Sequence, residues 1–326
     1  GYSTNPVSNS RLDGLLTCID DTTPHNAWKR RWPNSPTIRQ ATHGGTSPSP
    51  ENRTLERLQM DEFSLLPRNR FFEVIGGMNV ENQGNNKVAM LSEIDMSQCV
   101  RLRAAIGEQH GVKPSYTALV TRSVALTLKK LPYANRMTLE WPFFRRIIQL
   151  NNIHITVAVE RDEPGIEQAV YAGTVRNTDT LNLVELTNEL QKLAKAQGVH
   201  GERWSLLRKI VNGVPAPLAR TILKFPRLIP SLWIEHRGGA VMVSSPAKYG
   251  VDMLVGNWPW PIGISFGMVK DRPIAIDGKV EVRPTMMLIM SFDRRLMGGA
   301  PAARFFRAIA DTIEQAETTL AIESGQ

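Results

Sequence analysis

A run of apolar residues, Thr285-Met286-Met287-Leu288-Ile289-Met290, passes without a break into Ser291-Phe292-Asp293-Arg294-Arg295-Leu296-Met297-Gly298-Gly299-Ala300. The run has the length and composition of a buried strand. The apolar-periodic stretch that follows, Pro301-Ala302-Ala303-Arg304-Phe305-Phe306-Arg307-Ala308-Ile309-Ala310, predicts a helix. Strand, polar turn and helix in this order constrain the fold more than any other part of the chain.

The chain has 326 residues, enough for one large domain or two small ones. Its charge of +8 is uneven. Residues 201–240 hold seven basic side chains (Arg203, Arg208, Lys209, Arg220, Lys224, Arg227, Arg237) against Glu202 and Glu235, a local +5 that points to a partner surface. Two distant cysteines, Cys18 and Cys99, make no disulfide framework and favour a reducing compartment. No apolar run reaches the length of a membrane-spanning helix, and the first residues read as no signal peptide.

Residues 1–66 are rich in Asn, Ser, Thr and Pro, as in Gly44-Gly45-Thr46-Ser47-Pro48-Ser49-Pro50, and predict an arm that cannot fold alone. Trp28, Trp32, Phe63 and Leu66 are sparse anchors on it for a neighbouring surface. Residues 67–326 form the expected domain. It begins with a strand at 88–94 and a helix over 96–109 that Asp95 caps and Gly111 ends. A second helix starts at Ser115, strands follow at 147–148 and 152–160, and a helix runs over 182–197. Strands at 240–244, 262–269 and 280–292 and a helix over 300–320 complete the pattern, with a turn at Asp277-Gly278. The segment 203–237 reads as a basic, apolar helical insert.

The segment from Ser291 to Ala300 resembles the closing motif of the acyltransferase catalytic core of 2-oxoacid dehydrogenase complexes, relatives of chloramphenicol acetyltransferase. There the pattern is Ser-Phe-Asp-His-Arg-x-x-Asp-Gly-Ala. A second stretch, Gly238-Gly239-Ala240-Val241-Met242-Val243-Ser244-Ser245-Pro246-Ala247-Lys248-Tyr249-Gly250-Val251, is similar to the family's Gly-Thr-Phe-Thr-Ile-Ser-Asn-x-Gly-x-Phe-Gly. The resemblance covers roughly residues 87–320. It implies an α+β, chloramphenicol acetyltransferase-like fold, a mixed sheet packed with helices. It also implies a trimer with active sites between subunits and coenzyme A as a substrate. The chain has the look of the short, lipoyl-free members.

In the resembled mechanism a histidine takes the proton from a thiol of coenzyme A or dihydrolipoamide, and the thiolate attacks a thioester. A serine, here Ser244, donates to the oxyanion, a contact worth roughly a hundredfold in rate. Arg294 stands at the histidine position and Gly298 at that of the aspartate. A guanidinium cannot accept the thiol proton, so the general base, worth about two to four powers of ten, is missing. Arg294 then either pairs with a nearby acid or binds an anion such as a carboxylate or a coenzyme A phosphate. His110, His154 and His236 are weak candidates for a relocated base. Cys99, on a helix with Arg101 and Arg103, reads as an exposed structural thiol.

No metal-ligand spacing, phosphate loop or groove-reading motif occurs, so neither a metal nor nucleic acid is expected. The expectation is an acyltransferase-like structural or assembly subunit of a larger complex, in the mitochondrial matrix or bacterial cytoplasm. An active coenzyme A-dependent enzyme with a relocated base is the alternative. The insert 203–237 is either a hairpin packed on its own domain or an interfacial element on an anionic membrane or a hydrophobic partner.

Overall fold

The computed structural model describes residues 63–65, 86–141, 144–163, 166–195, 225–256 and 258–321, with isolated residues between 202 and 222. In chain order, β1 (Phe63–Leu65) precedes β2 (Lys87–Asp95) and the helices α1 (Ser97–His110) and α2 (Tyr116–Lys130). Four strands follow: β3 (Arg136–Trp141), β4 (Phe144–Leu150), β5 (Ile155–Glu163) and β6 (Ile166–Val175). Then come α3 (Leu183–Ala194), α4 (Pro230–Arg237), β7 (Val241–Ser244), β8 (Ile262–Phe266), β9 (Lys270–Ile276) and β10 (Lys279–Asp293). The last helices are α5 (Gly299–Glu314) and α6 (Ala316–Thr319).

The main sheet has the order β2-β10-β8-β7-β5-β6, with β9 paired to the first half of β10. β7 runs parallel to both β5 and β8, and the other pairs are antiparallel. The expected α+β arrangement, a mixed sheet packed with helices, is the fold. A separate three-stranded sheet, β1-β4-β3, places Phe63 in a buried position within the stretch read as an arm. The rest of residues 1–62, with Trp28 and Trp32, and Leu66 lie outside the described residues.

The long β10 is central because both of its faces are covered. Met286, Leu288, Met290 and Phe292 are buried on one side, and Ile289, Ser291 and Asp293 on the other. Each apolar side chain so buried contributes about 1.5–3 kcal/mol. α5 supplies the matching stripe, Ala302, Phe305, Phe306, Ile309 and Ile313, and α1 adds Cys99, Leu102 and Ile106. The opposite face is covered by the loop after Gly250. A Cβ at Gly263 would meet the Trp258 ring at 2.3 Å, and one at Gly267 would meet Asp252 O at 1.7 Å, so the loop lies close only over glycine.

Element ends follow local chemistry. Ser115 accepts from Ala118 N at 3.1 Å at the head of α2, as expected. Asn182 and Glu185 form a reciprocal capping box on α3. Asp95 receives Ser97 N at 2.8 Å, so α1 starts one residue later than expected, and Gly111 ends it with φ 67°. Four strands, β1, β3, β6 and β9, escape the sequence reading, and α5 stops at Glu314, six residues before the expected end. The reading of Cys99 as an exposed thiol is corrected: it is fully buried, donates to Ile313 O at 3.3 Å, and burial pushes its thiol up to about 12.

Candidate active site

β10 delivers the turn that carries Arg294. Asp293 N donates to Pro261 O and Arg294 N donates to Asn86 O, both at 2.9 Å, so the backbone is fixed on two sides. The buried acid Asp293 takes Arg295 Nε at 2.9 Å on Oδ1 and Arg295 Nη2 at 2.5 Å on Oδ2. The pair ties the turn and leaves Arg294 between two engaged neighbours, exposed to solvent. Among the described residues Arg294 has no acidic partner, and the expected ion pair is not found there.

Gly298 sits at the N-cap of α5 with extended backbone (φ −74°, ψ 173°) and no side chain to bond the exposed helix N–H groups. A Cβ there would meet only Pro301 Cδ, at 3.9 Å. A Cβ at this position therefore meets no close contact among the described residues.

Ser244 lies at the C-terminal end of β7, half-buried. Its neighbour Ser245 is used structurally: Oγ donates to Phe266 O at 2.9 Å and accepts from Ala247 N at 3.2 Å. Ser244 Oγ has no such engagement among the described residues and stays available as a donor. Beyond it, Glu160 is hydrogen-bonded by Lys248 and by the Tyr249 hydroxyl, which together hold its carboxyl below the usual range. This triad was not legible in the sequence, because Glu160 comes from a strand some ninety positions earlier.

The register separates the two halves of the site. Ser244 is level with Ser265, and Ser265 is level with Ile289. Arg294 lies five residues further along β10, toward the opposite end of the sheet. At about 3.4 Å per residue and about 4.8 Å per strand, Ser244 and Arg294 stand roughly 20 Å apart in one chain. Within one chain they cannot both touch one small substrate.

The histidines do not fill the gap. His154 is buried, and its Nδ1 accepts from Asn177 N at 3.0 Å. Burial, helped by the Arg176 charge, lowers its pKa, so the imidazole is a neutral packing element. His110 and His236 are exposed at the ends of α1 and α4. Ser291 Oγ is buried without a partner, beside Gly263 and one residue before Phe292.

The family pattern for the catalytic domain of 2-oxoacid dehydrogenase acyltransferases matches residues 74–199 and 234–321. The chain belongs to this acyltransferase family. One similar protein is the dihydrolipoyllysine-residue succinyltransferase component of the 2-oxoglutarate dehydrogenase complex of Buchnera aphidicola, 24% identical over 238 residues, 70% of this chain and 51% of that protein. The mitochondrial counterpart of Mus musculus is 26% identical over 250 residues, 73% of this chain and 46% of that protein. The chain thus spans about half the length of the curated relatives it matches. Among solved structures, the Azotobacter vinelandii dihydrolipoamide acetyltransferase aligns with TM-score 0.53 at 22% identity, covering 86% of this chain and 100% of that one. This likeness shows the fold of the chain. The two matched blocks leave out residues 200–233, most of the basic insert.

Proposed function

We propose that this acyltransferase-family chain has lost general-base acyl transfer and serves as a structural or assembly subunit of a larger complex. One observation carries the reading: Arg294, at the position of the family histidine, is exposed and has no acidic partner among the described residues, and no described histidine lies where it would replace the base. The relatives are components of multienzyme complexes, bacterial and mitochondrial, which supports membership of an assembly in the same kind of setting.

The assembly proposed is a trimer, with Ser244 of one copy facing Arg294 of the next. The 20 Å separation within a chain motivates it. So does the extended stretch after Tyr249, where Val251, Met253 and Val255 alternate outward and are 39%, 51% and 59% exposed beside Ser244. Such a stripe is suited to cover by a second copy. Residues 1–66 are proposed, on composition alone, as an arm that docks a neighbouring subunit.

Assay of the purified chain for acetyl transfer from acetyl-coenzyme A to dihydrolipoamide tests the loss of activity. Turnover at rates ordinary for enzymes overturns it.

The free hydroxyl of Ser244 favours a second reading, an active coenzyme A-dependent acyltransferase whose acceptor arrives already ionised. Arg294 would then hold a carboxylate or phosphate. Replacing Arg294 by His and Gly298 by Asp separates the two: a retired site gains activity, and a site built around Arg294 loses it.

A further inference from the structure

The segment that the family pattern omits carries the strongest unabsorbed feature of the molecule. Glu202, Ser205, Leu206, Lys209, Gly213, Leu218 and Ile222 are helical, and a single 3-10 turn, Phe225–Leu228, leads into α4. α4 is anchored by Trp233 and Ile234, which are nearly fully buried. The residues before it are not. Leu206, Leu218, Ile222, Phe225 and Leu228 are 37–54% exposed. Leu218 and Ile222, four apart, share one helical face.

A second, sequence-distant element extends this surface. The β3–β4 hairpin ends on Trp141 and Phe144, paired across the turn and 52% and 40% exposed. Trp141 Nε1 donates to Leu228 O at 2.9 Å, so the hairpin tip and the insert form one surface. Basic residues outnumber acids around it, although Glu140 stands opposite Arg145 in the hairpin register. Arg145 and Lys209 are exposed, and the Arg146 guanidinium lies 5.3 Å from the Phe144 ring. The sequence of the insert adds Arg203, Arg208, Arg220, Lys224 and Arg227, against only Glu202 and Glu235, both exposed.

We infer that the insert and the β3–β4 tip together form a surface that docks on an anionic lipid bilayer. Amphipathic tryptophan, phenylalanine and leucine side chains bury in the headgroup boundary, and the surrounding Lys and Arg meet acidic headgroups. None of the described helices is long and apolar enough to span a membrane, so attachment would be peripheral. A protein subunit could cover the apolar residues alone, but it would need an acidic face of its own to match an excess of five positive charges in 40 residues. The inference is independent of whether the site at Ser244 and Arg294 turns over.

Flotation of the 326-residue chain with vesicles of phosphatidylcholine alone, or mixed roughly 2:1 with phosphatidylserine, tests it. The expected result is flotation with the mixed vesicles only, weakened as salt shortens the range of the charges. Lys209→Glu, Arg220→Glu and Lys224→Glu together should lower partitioning by roughly a hundredfold or more, taking about fivefold per basic residue. Leu218→Ser, Ile222→Ser and Phe225→Ser together should lower it by at least about tenfold, with the thermal transition of the domain retained because these side chains are already exposed. The inference is overturned by absence of flotation, by equal flotation on both vesicle types, or by flotation unchanged in either variant. It is equally overturned if the variants leave vesicle binding alone and instead release a protein subunit that co-purifies with the chain.

Discussion

Asp293 and Arg295 form a buried fork at the end of β10, with Arg295 Nε on Oδ1 at 2.9 Å and Nη2 on Oδ2 at 2.5 Å, while Arg294 between them points to solvent. Adjacent arginines thus have opposite roles. Removing one member of the fork leaves a buried charge without its partner, a loss of about 3–5 kcal/mol. Arg295→Met or Asp293→Asn should therefore shift the denaturation midpoint strongly, whereas Arg294→Ala should change stability by less than about 0.5 kcal/mol. Chemical denaturation of the three variants checks this. A large loss in Arg294→Ala would mean that Arg294 is structural and the site reading is wrong.

Gly298 offers a cleaner separation of stability from chemistry. Gly298→Asp places a carboxylate at the N-cap of α5, where the nearest atom to a new Cβ is 3.9 Å away. A bonded cap and a favourable helix dipole predict a gain of roughly 0.5 kcal/mol. The same change with Arg294→His should raise acetyl transfer to dihydrolipoamide well above the parent. Stabilisation without any gain in transfer would show that more than these two residues has been lost.

The fold was legible where the chain is both apolar and bounded. β10 and α5 stood out because an apolar run meets a helical stripe, and α2 because Ser115 supplies its cap. β6 and β9 were not legible, since half-exposed edge strands such as Lys270–Ile276 carry little apolar signal. Cys99 misled for a related reason: exposed Arg101 suggested an exposed face, but Cys99 shares a face with half-buried Arg103, one turn on, and that face packs toward Ile313. The positions of Ser244 and Arg294 were readable from motifs. Their separation was not, because it depends on the register of β7, β8 and β10. Nor does the sequence reveal which of two neighbouring arginines takes Asp293.

That separation leads to a test by mixing. In one chain Ser244 and Arg294 stand roughly 20 Å apart, so on the proposed trimer a revived site would draw on two copies. A chain carrying Arg294→His, Gly298→Asp and Ser244→Ala supplies a base and no oxyanion donor. The parent chain supplies Ser244 and no base. Each alone should be nearly inactive, and unfolding and refolding the two together should restore a fraction of the activity of the Arg294→His, Gly298→Asp chain. Mixtures that stay inactive while forming mixed oligomers by native mass spectrometry would refute the shared site.

The last prediction concerns acid stability through His154. Its side chain is buried, Nδ1 accepts from Asn177 N at 3.0 Å, and burial lowers its pKa below the ordinary 6.5. The unfolded chain therefore binds a proton near pH 6.5 that the folded chain refuses. Stability is full above that value and falls as the pH drops through it, since the unfolded state holds more protons. His154→Asn keeps an acceptor for Asn177 N in a smaller side chain and removes the titration. The variant should lose stability at pH 8 through the cavity, but its unfolding midpoint should fall less between pH 7 and 5 than that of the parent. Equal slopes for the two proteins over that window would mean that His154 titrates alike in the folded and unfolded states, and that burial does not hold it neutral.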